Sequence, residues 1–177
     1  QGTLQMLFEF QTQVAHLTGM EVANASMYDG STATAEAVLM AKRLTRRNRI
    51  VLSSGLHPHY RDVVRTYVGD GPDLVVIPHS AAGTLPLTID DRTAAIVVQT
   101  PDFYGSLRNI EELAEIAHDA GALLIVVVTG IVSLGLLEAP GALGADIVVA
   151  EGQSIGNALS FGGPYVGLVA TRASFVR

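Results

Sequence analysis

Residues 122–128 read Ala-Leu-Leu-Ile-Val-Val-Val, an unbroken apolar run set between Gly121 and Thr129-Gly130. A run this short, rich in β-branched side chains and closed by glycine, predicts a strand buried on both faces. Strands of this kind belong to mostly parallel sheets covered by helices above and below. The run is the most hydrophobic in the chain, so it is expected at the centre of the sheet.

The rest of the chain supplies the partners. Further strands are expected at 22–27, 49–53, 73–78, 94–99, 147–150 and 165–170. Between them the apolar residues fall at helical spacing. One helix runs over 3–18 with Gly19 as its stop, and a second over 31–44. A third spans 58–68, with Pro58 as its first residue. A fourth is capped by Asn109 and ended by Gly121, with Ile110, Leu113, Ala114, Ile116 and Ala117 as its apolar face. Residues 79–84 read as a turn, 85–91 as irregular and 134–137 as a short apolar segment. About fourteen residues join 147–150 to the last strand, too few for a helical crossover, so that strand is expected to be antiparallel. His16 and His118 sit in the last turns of helices and read as partners of the helix dipole. The cluster Lys42, Arg43, Arg46, Arg47 and Arg49 reads as a solvated cap of the second helix.

Composition bounds the function. Only 16% of residues are charged, against a norm of roughly 25%, while 49% are hydrophobic. The deficit predicts surface buried against further chain or a partner, and hence a homo- or hetero-oligomer. A formal charge of −6 gives no reason to expect nucleic-acid binding. The absence of cysteine excludes disulfides and thiolate metal sites and is compatible with a reducing cytosol, so a cytoplasmic location is expected. No apolar run approaches the length needed to span a bilayer, and no signal peptide is seen. The chain opens at Gln1, directly in a helical pattern, and reads as a single domain excerpted from a longer protein.

In open α/β sheets, ligands sit beyond the carboxyl ends of the strands. The loop after Ala150, Glu151-Gly152-Gln153-Ser154, is therefore the first place to look for chemistry, and it holds no lysine, cysteine or histidine. Gly30-Ser31-Thr32 opens a helix. Its backbone N–H groups and two hydroxyls suit a phosphate, and they equally suit an ordinary capped helix start. His57 and His59 flank Pro58 and either face a site or lie on the surface. With no third ligand in sight, no metal is expected.

The segments QGTLQMLFEFQTQVAHLTGMEVANASMYDGSTATAEA (1–37), HPHYRDVVRTY (57–67), QTPDFYG (99–105), SLGLLEAPGALGADIVVAEGQSIG (133–156) and LSFGGPYVGLVATR (159–172) carry a resemblance. The chain is similar to the large domain of fold-type-I pyridoxal-phosphate enzymes. More closely, it resembles the N-terminal, alpha-type part of the glycine cleavage system P-protein family. The resemblance implies a three-layer α/β/α large domain, mostly parallel with one antiparallel strand, lacking the family's N-terminal arm and C-terminal small domain. It also implies glycine decarboxylation on pyridoxal phosphate, an oxidoreductase activity, with the aminomethyl group passed to the lipoyl arm of the H-protein. In the two-subunit form the cofactor is carried by a beta-type subunit, so the implied partners are that subunit and the H-protein. The cofactor-facing positions implied for this chain are Gly30, Ser31, Thr32, His57 and Ser154.

Two departures shape the reading. Matching the family's lysine-bearing loop to 144–156 puts Ser154 where a Schiff-base lysine would stand, and the only lysine in the chain is Lys42. The strand before that loop ends Val128-Thr129-Gly130, without the acid that fold-type-I enzymes place against the pyridine nitrogen. The expectation is a non-catalytic alpha-type chain with no residue carrying chemistry and no covalent cofactor. Two alternatives stand beside it: a self-sufficient fold-type-I aminotransferase or lyase, and a bare α/β binding domain. A specific cofactor absorbance would favour the former, and failure to co-purify with a beta-type subunit the latter.

Overall fold

The computed structural model describes residues 1–78 and 89–176. The turn expected at 79–84 and the first part of the irregular stretch at 85–91 lie outside them. Among the described residues seven strands form one sheet: β1 (Val22–Ala23), β2 (Arg49–Ser53), β3 (Leu74–Ile77), β4 (Thr93–Gln99), β5 (Leu123–Val128), β6 (Ile147–Glu151) and β7 (Gly167–Thr171). Their order is β1-β7-β6-β5-β4-β2-β3, so β5 is the middle strand, as its composition requires. All pairings from β3 to β6 are parallel, and β7 runs antiparallel to both β6 and β1.

Among the described residues four α-helices cover the sheet: α1 (Gly2–Thr18), α2 (Gly30–Thr45), α3 (Pro58–Val68) and α4 (Ile110–Asp119). The pleat divides the strands between two cores. Ile96, Val98, Leu124, Val126, Val148 and Ala150 face α4 and the buried end of α1. Ala95, Val97, Ile125, Val127, Ile147 and Val149 face α2 and α3. Each strand is apolar on both sides because each side meets helices, which is why no polar alternation shows in the sequence.

The helix ends follow local chemistry. Gly19 takes a left-handed conformation (φ 69°) to close α1, where a side chain would be strained. Asp29 caps α2, Pro58 occupies the first turn of α3, and the Asn109 side chain accepts the Glu112 N–H at the start of α4.

Several expectations need correction. The extended stretch at 22–27 is a strand for only two residues, with an isolated bridge from Met27 to Gly167. The last strand begins at Gly167, because its ladder with β6 starts where Gly167 meets Glu151. The segment at 134–137 overlaps a 3-10 turn, Ile131–Gly135. Ile116 points away from the core at 36% exposure, while Ile110, Leu113, Ala114 and Ala117 are buried. His118 does more than face a helix end: its Nε2 lies 2.8 Å from Asp146 Oδ2. The basic cluster is only partly solvated. Arg47 donates to the carbonyls of Thr93 and Ala120 (3.1 and 2.7 Å), and Arg49 pairs with Asp90 at 2.7 Å.

Candidate functional site

The carboxyl ends of β2, β4 and β6 and the start of α2 converge on one edge. The α2 start is held by carboxylates. Asp29 accepts the Thr32 N–H (2.7 Å), the Thr32 hydroxyl (2.7 Å) and the Ser31 hydroxyl (3.0 Å), completing a capping box. Glu151, at the end of β6, accepts the Gly30 N–H through Oε2 (2.9 Å). Its Oε1 accepts the N–H groups of Gln153 and Val166 at 3.0 Å each. The Gly30 and Thr32 N–H groups and the two hydroxyls that suit a phosphate are thus engaged from within the chain, and the turn has the form of a capped helix start. Negative side chains are favoured there by the positive end of the helix dipole.

Burial drives the Asp29 carboxyl up, but the Thr32 N–H, the two hydroxyls and nearby His59 outweigh it and hold the group below its usual range. The Tyr60 ring closes the site from the α3 side. A Cβ on Gly30 would collide with the Tyr60 hydroxyl and come within 3.2 Å of the Glu151 nitrogen, so only glycine fits. Burial, with Glu151 and Asp29 close by, pushes the Tyr60 phenol well above its usual value. On the far side Gly167 is equally constrained, since a Cβ there would strike the Asp29 carbonyl.

His57 is the N-cap of α3. Its N–H donates to Gln99 Oε1 (2.9 Å), and its Nδ1 accepts the His59 N–H (3.2 Å). Its ring lies 5.6 Å from that of Tyr60 and 5.0 Å, edge-on, from that of Phe103. Burial, followed by the charges of His59 and Arg61, lowers its pKa. The loop carrying Phe103 is fixed by a buried ion pair: Asp102 meets Arg108 Nε at 3.1 Å and accepts the N–H groups of Tyr104 and Ser106. Burial raises the Asp102 carboxyl, yet the Arg108 hydrogen bond and the two backbone N–H groups hold it below its usual range.

The structure therefore brings Gly30, Ser31 and Thr32 together with His57, through Tyr60. Ser154 is exposed in the 3-10 turn Gln153–Ile155 that follows Glu151. His59 is exposed on α3. Among the described residues no group of three or more His, Cys, Asp or Glu could hold a metal, and no helix is long and apolar enough to cross a membrane. Sequence reasoning singled out the loop that holds Glu151 but not the contact of that side chain with Gly30, and it missed Tyr60 and Gln99 as parts of this edge. The available signal was an acid at the end of a buried strand beside a helix start needing an anion, but 121 residues separate Glu151 from Gly30.

The residues present do not fit covalently held pyridoxal phosphate. Lys42 lies in the last turn of α2, twelve residues and about 18 Å along the helix from Gly30. The carboxylates of Asp29, Asp102 and Glu151 are all engaged within the chain. Thr129 and Gly130 follow β5 without an acid.

A parallel sheet of this order, helices on both faces and a closing antiparallel strand define the large-domain fold of pyridoxal-phosphate-dependent enzymes. A sphingosine-1-phosphate lyase from Burkholderia pseudomallei shares it, with a TM-score of 0.74 at 18% identity over 98% of this chain and 46% of that one. The chain belongs to the glycine cleavage system P-protein family, whose model matches residues 1–177. It is 65% identical, over its whole length, to a protein of Rhodospirillum centenum named as a probable glycine dehydrogenase (decarboxylating) subunit 1. It is 63% identical to the protein of the same name from Xanthobacter autotrophicus. A crystal structure of glycine decarboxylase (P-protein) in inhibitor-bound form superposes with a TM-score of 0.92 at 48% identity, over 99% of this chain and 40% of that one. The chain spans 40% of the length of these curated relatives.

Proposed function

We propose that this chain is the large-domain portion of an alpha-type subunit of a heteromeric, pyridoxal-phosphate-dependent glycine decarboxylase, and that it holds no cofactor of its own. The cofactor then resides on a beta-type partner, and the assembly delivers the aminomethyl group of glycine to the lipoyl arm of an H-protein in the cytoplasm. One observation carries the reading: within a P-protein fold, the turn after β6 bears exposed Ser154 and the single lysine stands at the far end of α2. Serine has no amine to form a Schiff base. Exposed Phe103, whose ring meets that of His57, and exposed Tyr104 and Leu107 in the same loop suit this edge to a partner surface.

Co-expression with a beta-type subunit tests the proposal. Borohydride reduction of the complex after addition of pyridoxal phosphate should leave a stoichiometric phosphopyridoxyl label on the partner and none on this chain. A specific label at one position of this chain would overturn it. Weak labelling of Lys42 would not, because an accessible amine reacts without a site.

A further inference from the structure

The Glu151 carboxylate does what a bound anion would do. It gathers backbone N–H groups from three separate segments: Gly30 at the α2 start, Gln153 in the turn after β6 and Val166 on the approach to β7. Converging backbone N–H groups at a helix N-terminus form a concavity that selects negative charge. Here the charge is tethered. Asp29 occupies the remaining Thr32 N–H and both hydroxyls, and the Tyr60 hydroxyl stands against Gly30.

We infer that Glu151 is a built-in occupant of the anion position of this fold, which closes the α2 start to phosphate and phosphate-monoester cofactors while stapling α2 to the β6–β7 connection. The inference deepens the reading of the chain as the cofactor-free member of its assembly and rests on it. An intramolecular group competes at high effective concentration. An incoming phosphate must also approach two carboxylates of its own sign. Both effects keep free phosphate out without any lid.

The test uses the full chain and inorganic phosphate, followed through backbone amide resonances. In the wild type, the Gly30, Gln153 and Val166 amides should not respond to phosphate up to tens of millimolar. In Glu151→Ala the same amides should shift together and saturate, with binding tighter by about 10-fold or more and a midpoint on the order of millimolar. Saturable shifts in the wild type, or a folded Glu151→Ala whose amides ignore phosphate, would overturn the inference. If the alanine variant does not fold, amide exchange of the wild type decides. The three amides should then be protected by about 100-fold or more relative to exposed ones, and exposed-rate exchange at Gly30 or Val166 refutes the staple. These readouts need no partner. The staple can therefore fail while the subunit assignment stands, and a closed site on a chain that never joins a beta-type subunit would defeat the assignment alone.

Discussion

His118 Nε2 lies 2.8 Å from Asp146 Oδ2, and the same oxygen accepts the Leu124 N–H at 2.8 Å. Arg172 approaches the other oxygen at 3.2 Å. One buried carboxylate thus ties α4, β5, β6 and the segment after β7 at the amino end of the sheet. Asp146→Ala leaves the Leu124 N–H buried without its acceptor and should cost about 2–3 kcal/mol. His118 is half-exposed, so His118→Ala should cost about 1 kcal/mol or less. Urea unfolding of both variants checks this, and equal losses would contradict the arrangement.

The Asp102–Arg108 pair has both side chains 1% exposed. Arg108→Ala strands a carboxylate in the interior and should destabilise by about 3–5 kcal/mol, while Arg108→Leu combined with Asp102→Asn should recover part of that loss. A double-mutant cycle on unfolding free energies reads the coupling, and strict additivity would argue against it.

Acid should unfold the chain partly through Asp29 and Asp102. Both are held below their usual pKa in the fold. Their stabilisation is therefore complete above the unfolded-chain value of about 3.9 and is lost as pH falls through the lower folded values. His57, also depressed, adds loss of the same sign at higher pH, because the unfolded chain takes up its proton first. Asp29→Ala should cost about 1–2 kcal/mol near neutrality from the lost cap and should flatten the acid limb. A variant whose stability falls as steeply below pH 4 as the wild type would exclude Asp29 from that limb.

The first half of α1 exposes Leu4, Met6, Leu7 and Phe8, with Met6 and Phe8 both at 70%. An apolar face of this kind marks an interface. Phe8→Asp should leave the fold intact, since the side chain packs little within the chain, but should disperse any assembly formed through α1. Sedimentation at micromolar concentration checks it. A wild-type chain that remains monomeric there would remove the basis for the prediction.

The sequence by itself determined the architecture, because strands and helices here are set by local rules. The apolar run at β5 required cover on both faces and therefore a central place. Gly19, Pro58 and Asn109 marked helix ends through backbone chemistry that needs no distant partner. The short link after β6 foretold the reversed direction of β7. Periodicity could not say which of two helical layers each strand residue meets, since both layers are apolar. Nor could it reveal that Ile116, placed on the helical stripe by spacing, is exposed. The site was legible only as isolated stretches. Gly30-Ser31-Thr32 and the loop after Ala150 could each be singled out, but whether the first was open or filled depended on Glu151, 121 residues away. His118 and Asp146 were likewise joined only when α4 packed onto β5 and β6. Hydrogen bonds between residues far apart in the chain depend on the geometry of the packed layers, and that geometry exists only once the sheet has formed.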